Sequence, residues 1–140
     1  DLPIADSAFD AVACFEVLEH LPFESFPCAL EELHRVCRRY ALISLPDSAP
    51  YFRLHIPRLL PNKLYERPFH RPREHAFDGE HYWEVNKQGF PLSKIIGCMN
   101  DAGFSVERTW RLYEIPKIRM FRLSKVPSQT VDANSPIRAK

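Results

Sequence analysis

The feature that most constrains this chain is a short apolar run that ends abruptly in polar residues. The residues from Val12 to Phe15 are apolar, and three side chains with acid–base chemistry follow them: Glu16, Glu19 and His20. A short and nearly continuous apolar run is typical of a buried parallel strand. Polar groups at the carboxyl end of such a strand lie where open α/β sheets bind their ligands. The pattern therefore predicts an α/β fold with a ligand site directly after this strand.

Periodicity along the rest of the chain predicts further alternation of strands and helices. The predicted elements are a strand over 9–16, a helix over 25–38 with Ser25 as its N-cap, a strand over 40–45, a helix over 91–103 and strands over 104–112 and 117–126. The first strand, helix and strand form one unit, in which the two strands should be parallel. The final strand alternates polar and apolar residues, which indicates an antiparallel strand solvated on one face.

A proline-rich segment over residues 47–90 interrupts this pattern. The chain has thirteen prolines against four glycines. Because the residue before a proline disfavours helix, the segment is expected to hold no long regular structure, only short helical turns around Phe52 to Leu60. The few glycines also exclude a glycine-rich phosphate-binding loop. Residues 127–140 lack periodicity and predict a disordered tail.

Composition excludes several classes of partner. A formal net charge of +1 gives no global field that would favour binding to nucleic acid or to an anionic membrane. No apolar run approaches the ~20 residues of a transmembrane segment, and no signal-peptide pattern opens the chain. The four cysteines include no closely spaced pair, so we expect small buried hydrophobes in a reducing compartment. The sequence thus predicts a cytoplasmic protein.

Two blocks of sequence resemble a known family. The string DLPIADSAFDAVACFEVLEHL, from Asp1 to Leu21, closely resembles the strand-4 region of class I S-adenosylmethionine-dependent methyltransferases of the type 11 branch, with Ile4 where phenylalanine is usual. The block from His81 to Phe104 resembles a pattern found in a subset of that branch. The resemblance implies the C-terminal half of a Rossmann-like sheet, with strands 4, 5, 6 and 7 and strand 7 antiparallel. Residues 1–126 would form this partial methyltransferase domain, with 47–90 as a substrate-side insert.

The resemblance also implies a function. The expected activity is methyl transfer from S-adenosylmethionine to an unidentified acceptor, which could be a small molecule, a lipid or another compound. In the family, most cofactor contacts come from a glycine-rich loop and acidic residues that would precede Asp1. We therefore expect this chain to be part of a longer enzyme, to need the missing N-terminal half of the domain, and to be inactive alone. The alternative is a non-catalytic, degenerate half-domain that serves as an interaction module.

The same resemblance suggests roles for the residues that leave the first strand. Phe15, Glu16 and Val17 would line the cofactor pocket near the methionine sulfur, and His20 would be a catalytic proton acceptor. The E-x-x-E-H spacing also resembles metal sites of small-RNA 2′-O-methyltransferases and of a ubiquinone-pathway O-methyltransferase. Glu16, Glu19 and His20 would then share one helical face and hold a divalent metal. Alternatively, these three side chains simply pair with one another. Pocket lining is favoured, and a divalent metal is the least favoured of the three.

The proline-rich insert is basic over residues 51–75. Six arginines and lysines against two glutamates give this stretch a net charge of +4. Arg67, Arg71 and Arg73 are the candidate substrate-side residues, since an anionic acceptor would suit them. The competing interpretation is a solvated loop without a ligand. Trp83 and Trp110 are expected to be core anchors rather than ligand platforms.

Overall fold

Strands and helices alternate along the described part of the chain. The computed structural model describes residues 2–55, 63–67, 70–77 and 79–126. The strands are β1 (Phe9–Phe15), β2 (Cys37–Pro46), β3 (Tyr51–Leu54), β4 (Lys63–Glu66), β5 (Phe104–Arg111) and β6 (Ile118–Lys125). The α-helices are α1 (Phe26–Val36) and α2 (Leu92–Asp101), and 3₁₀ turns cover Leu18–His20 and Phe23–Ser25. The predicted disordered tail over 127–140 lies outside the described residues. Neither described helix is long and apolar enough to cross a membrane.

Four strands form one mixed sheet in the order β1-β2-β6-β5. β1 and β2 are parallel, and β6 lies antiparallel between β2 and β5. β5 therefore runs in the same direction as β2. This arrangement confirms the predicted α/β class, because β1, β2, β5 and β6 occupy the places of strands 4, 5, 6 and 7, with the last antiparallel.

α1 connects the two parallel strands and packs its apolar face on the sheet. Phe26 in its first turn is fully buried. Ser25 precedes the helix as predicted, but its side chain makes no capping hydrogen bond. The predicted end of the helix is wrong, since the backbone is already extended at Cys37 and β2 begins there. The cause is long-range: Cys37 pairs with Phe9 and Tyr40 with Ala11 on the parallel strand β1, so this stretch joins the sheet instead of adding another helical turn.

The core between sheet and helices contains an aromatic cluster centred on Trp83. This side chain is fully buried, and its ring centroid lies 5.1 Å from that of Phe23 and 4.8 Å from that of Phe26. Trp83 is therefore a core anchor, as predicted. Trp110 is only half-buried, with the Arg108 guanidinium 5.3 Å from its ring centroid. The prediction of a core anchor is wrong for Trp110, because β5 is an edge strand of the sheet.

The proline-rich insert contains a hairpin that the sequence did not predict. β3 and β4 pair antiparallel, with Phe52 opposite Tyr65. Their rings are stacked, with centroids 4.9 Å apart and planes 13° apart. Helical turns around Phe52 are therefore wrong where the structure describes the segment; residues 56–60 of that prediction lie outside it. Aromatic cross-strand pairs stabilise such hairpins, and this pair joins residues too distant for periodicity to reveal.

The cysteines differ in burial. All four are free thiols, with Cys37 buried and Cys14 and Cys98 half-buried. Cys28 is exposed, so the expectation of a buried hydrophobe is wrong at this position. Cys28 lies on the solvent-facing side of α1. The residue type alone does not predict which side of the helix a cysteine occupies.

β1 lies at one edge of the sheet that the described residues form. Within the described residues, this strand pairs only with β2. The side chains of Phe9, Phe15 and Val17 are 48%, 49% and 50% exposed. An apolar strand with unpaired backbone groups is a template for pairing with another chain.

Candidate functional site

The carboxyl end of β1 is held in an unusual conformation at Glu16. Its φ of +49° lies in the left-handed region, which costs a residue with a side chain about 1–3 kcal/mol. Ser44 on β2 compensates through two contacts. The Glu16 amide donates to Ser44 Oγ at 3.0 Å, and this hydroxyl donates to Glu16 Oε1 at 2.7 Å. The half-exposed side chains of Phe15 and Val17 flank Glu16, so the three predicted cofactor residues lie together at the strand end.

Glu19 is fully buried in the 3₁₀ turn that follows. Among the described residues, neither of its carboxylate oxygens has a hydrogen-bond partner. Burial is the main cause that raises the pKa of the Glu19 carboxyl, and the charge of Glu16 raises it further. The dipole of its own backbone amide and the nearby His20 and His81 lower it in part.

His20 is exposed, and its ring has a defined tautomer. Nδ1 lies 2.9 Å from the carbonyl oxygen of Glu80. Because a carbonyl only accepts, Nδ1 carries the proton in the neutral ring and Nε2 keeps the lone pair. The ring centroid is 5.1 Å from that of His81, edge to face. Nε2 of His20 is thus chemically able to accept a proton or to bind a cation.

Three potential ligand atoms converge at this place, one each from Glu19, His20 and His81, all within 4.8 Å of one another. Glu16, which the sequence grouped with Glu19 and His20, is instead bonded to Ser44. Sequence reasoning did not connect His81 to the group, because it comes from the far end of the insert.

The His81-Tyr82-Trp83 segment is fastened to the loop after β1. The Tyr82 amide donates to the Glu19 carbonyl at 2.9 Å, and Trp83 Nε1 donates to the Leu21 carbonyl at 3.1 Å. These bonds bring His81 to its place. They give a structural reason for the second sequence block, whose tryptophan holds the histidine beside the strand end.

A second polar group, missed by sequence reasoning, lies at the carboxyl end of β2. Asp47 is buried and accepts hydrogen bonds from Arg119 Nε at 2.5 Å and from Asn86 Nδ2 at 3.0 Å. Arg119 also bonds Glu66 of β4, and Arg111 donates to the Asp47 carbonyl at 2.6 Å. Burial lowers the pKa of Arg111. The network ties the insert to β2, β5 and β6. Its signal in the sequence is the Pro46-Asp47 pair that ends the strand predicted over 40–45.

Two of the three predicted substrate-side arginines share a cavity. Arg71 and Arg73 line a space of about 250 Å³ together with Lys87. Arg67 lies elsewhere, in a cavity beside Phe52 of the hairpin. The structure therefore brings two of these arginines together and separates the third.

A larger cleft of about 680 Å³ opens between the strand ends and the insert. Its lining includes Glu16, His81 and Lys87. Lys87 borders this cleft and the smaller arginine-lined cavity, so the two spaces are neighbours. The cleft at the strand ends is therefore next to the cavity lined by Arg71 and Arg73.

Comparisons with known proteins agree with the order of strands in the sheet. The sequence model of the family described as "Methyltransferase domain" matches residues 1–45. The chain is also similar to the Burkholderia thailandensis 1,6-didemethyltoxoflavin-N1-methyltransferase, with a TM-score of 0.52, 14% identity, and coverage of 87% of this chain and 46% of that one. The chain has the class I methyltransferase fold. No curated protein matches it.

Other solved structures agree on the methyltransferase fold. An S-adenosylmethionine-dependent methyltransferase from Mesorhizobium loti gives a TM-score of 0.55 at 10% identity, over 89% of this chain and 65% of that one. The [4+2]-cyclase SpnF gives 0.51 at 10% identity, over 90% and 53%. The chain thus spans about half to two thirds of the length of these structures. SpnF indicates that a fold of this kind also occurs in a protein named for another reaction, so the site must carry the functional argument.

Proposed function

We propose that this chain supplies the acceptor-side half of a domain that transfers a methyl group from S-adenosylmethionine. The observation that carries the proposal is the sheet order β1-β2-β6-β5, together with the family match over residues 1–45. The Burkholderia thailandensis relative was solved with bound S-adenosylhomocysteine, the product form of that cofactor. The longer enzyme would supply the remaining cofactor contacts from residues outside this chain.

Phe15, Glu16 and Val17 are the proposed cofactor contacts. They lie at the carboxyl end of a parallel strand, where open α/β sheets bind ligands. Glu16 keeps its left-handed conformation through bonds to Ser44, and residues held in costly conformations cluster at functional sites. The apolar side chains on either side are half-exposed and are therefore available to pack against a cofactor.

His20 is the proposed proton acceptor. Methyl transfer is a direct displacement, which depends mainly on aligning the nucleophile with the methyl group. A hydroxyl or amine nucleophile must also lose a proton. The lone pair on Nε2 is available for it, because the Glu80 carbonyl holds the proton of Nδ1. A positioned proton acceptor typically contributes about 10²–10⁴-fold to turnover.

Arg71 and Arg73, with Lys87, are proposed to hold an anionic group of the acceptor. Their shared cavity adjoins the cleft that reaches Glu16 and His81. Arg67 lines a separate cavity and is the weaker member of the set. Charge-assisted hydrogen bonds from arginine to a carboxylate or phosphate would fix the acceptor's orientation.

Calorimetric titration with S-adenosylhomocysteine tests the proposal on the longer protein that contains this chain. We expect binding that Glu16→Ala weakens strongly and that the matched control Glu24→Ala, at an exposed position outside the site, leaves unchanged. The isolated chain should not bind measurably. Absence of binding in the longer protein, or equal binding by both variants, would overturn the proposed cofactor site.

The second candidate function is a non-catalytic interaction module. The half-exposed apolar side chains of β1, an edge strand among the described residues, favour it, because such a strand can pair with a partner chain. A longer protein that binds neither S-adenosylmethionine nor its product, yet associates through β1, would support this alternative. We propose the cytoplasm as the location in either case, since the four free thiols suit a reducing compartment.

A further inference from the structure

Three side chains that commonly ligate metals converge beside the end of β1. Their ligand atoms all lie within 4.8 Å of one another. Atoms bound about 2.0–2.2 Å from one cation lie roughly 3–4 Å apart, so small side-chain rotations would close the site. We propose that Glu19, His20 and His81 bind a divalent transition-metal cation.

A buried and unpartnered carboxylate provides an independent observation. Glu19 is 0% exposed, and among the described residues neither of its oxygens accepts a hydrogen bond. Burying a carboxylate without hydrogen bonds or a counter-charge is costly. A cation between Glu19 and the two imidazoles would supply both the charge and the missing coordination.

The backbone around the site already holds the ligands in place. His20 donates from Nδ1 to the Glu80 carbonyl, which is how metal-binding histidines are usually oriented, with the other nitrogen left for the ion. The Tyr82 amide bonds the Glu19 carbonyl, so the two ligand-bearing segments are joined directly. The ring nitrogen Nε2 of His75 is 2.8 Å from the His81 carbonyl and fixes that segment from the other side.

The donor set indicates which cations fit. Two imidazoles and one carboxylate suit Mn²⁺, Fe²⁺, Co²⁺, Ni²⁺ or Zn²⁺, whereas Mg²⁺ and Ca²⁺ prefer oxygen ligands alone. The inference rests on side-chain geometry and does not depend on methyl transfer. With a cation bound, the lone pair of His20 is a ligand and no longer accepts a proton. The titration described next therefore also decides between the two roles of His20.

The test is titration of the chelator-treated chain with Co²⁺, followed by calorimetry and by the visible absorption of the bound ion. We expect one Co²⁺ per chain. Glu19→Gln, His20→Gln and His81→Gln should each weaken binding by more than about tenfold, because even the outer-shell partners of metal ligands contribute about 10–100-fold. His55→Gln, at an exposed histidine of the insert, is the matched control and should leave binding unchanged.

No bound Co²⁺ in the wild-type chain, or equal binding by the three site variants and the control, would overturn the inference. His20 is exposed, so His20→Gln should fold even if a variant at buried Glu19 does not. Circular dichroism of each variant checks this. The outcome is separable from that of the proposed function. If the longer protein binds Co²⁺ but no S-adenosylhomocysteine, the metal site is supported and the proposed function is not. If it binds S-adenosylhomocysteine but no Co²⁺, the metal site is overturned and the proposed function stands.

Discussion

Asp47 connects parts of the chain that are far apart in sequence. Its side chain bonds Arg119, which lies 72 positions away, and Asn86, 39 positions away. Both guanidinium partners, Arg111 and Arg119, are buried, with 6% and 3% exposure. A buried ion pair is weak evidence for net stability, but removing one partner leaves an uncompensated charge. The network's contribution is thus best measured by neutralising Asp47.

Asp47→Asn should lower the free energy of unfolding by about 3–5 kcal/mol, because the substitution keeps the shape but leaves the buried Arg111 without a carboxylate and Arg119 with Glu66 alone. Urea denaturation measures the change. The matched control is Asp10→Asn, whose partner Arg38 is 53% exposed, and it should cost about 0–1 kcal/mol. Equal decreases in the free energy of unfolding for the two variants would contradict the structural importance of the buried Asp47 network.

His34 gives the fold a defined pH dependence. Burial lowers the pKa of its ring from 6.5, and the charge of Lys125 adds to this. The burial has a steric origin, since the ring packs so closely on Gly103 that a Cβ there would lie 2.8 Å from Nε2. The unfolded chain therefore takes up a proton more readily than the folded one as the pH falls below 6.5.

Stability from this residue should be full above pH 6.5 and should decrease as the pH falls from there towards the folded-state pKa. His34→Gln removes the titrating group, so its stability should depend less on pH in that window. Urea denaturation of both proteins at several pH values makes the comparison. Parallel curves for wild type and variant would show that the ring is not the group responsible.

Much of the site at the end of β1 could be predicted from sequence. Glu16, Glu19 and His20 follow an apolar strand, so their place at a ligand-binding edge was derivable from local pattern. His81 and Asp47 were not assigned, because their partners are brought in by the insert and by β6. Local patterns do not encode contacts across 60 or more positions, such as that of His20 with Glu80.

At the scale of elements, the insert is held to the core by its tryptophan. Trp83 packs against three phenylalanines and donates a hydrogen bond to the loop after β1. The side chain is fully buried, whereas Trp110 on the edge strand is half-buried. The effects of replacing the two tryptophans can therefore be compared, one fully buried and one half-buried.

Trp83→Ala should lower the free energy of unfolding by about 3–5 kcal/mol, as expected when a large buried ring leaves a cavity. It should also release the segment that carries His81. Trp110→Ala is the matched control and should cost clearly less. Thermal denaturation followed by circular dichroism checks both variants. A larger loss from Trp110→Ala would show that β5 is more deeply packed than the structure indicates.

Most elements could be predicted because their apolar periodicity matches the face that packs on the core. α2 and β6 were expected within a few residues of where they lie. The errors fall where distant partners decide the conformation. Arg38 joins β2 because its neighbours Cys37 and Tyr40 pair with β1, and Phe52 is extended because it pairs with Tyr65. Both partners are remote in sequence, so local propensity gave the wrong result.

At the scale of the whole molecule, the open edge of β1 should determine behaviour in solution. We expect the chain alone to be marginally stable and to associate as its concentration rises. Ala13→Lys places a charge at an exposed position of this edge and should reduce association. Asn100→Lys adds the same charge at an exposed position on α2 and serves as the control. Sedimentation velocity measures both. A wild-type chain that stays monomeric at all concentrations would contradict the expectation.

The position of β6 also sets an order for folding. Although it is the last strand described, it lies between β2 and β5 and bonds both. While a ribosome makes the chain, β1, α1 and β2 can assemble early, but the far side of β2 stays unpaired until residues 118–125 emerge. β5 cannot join the sheet before then, since β6 is its neighbour. Completion of this sheet therefore comes late relative to β2, whose far side stays unpaired while residues 47–117 are made.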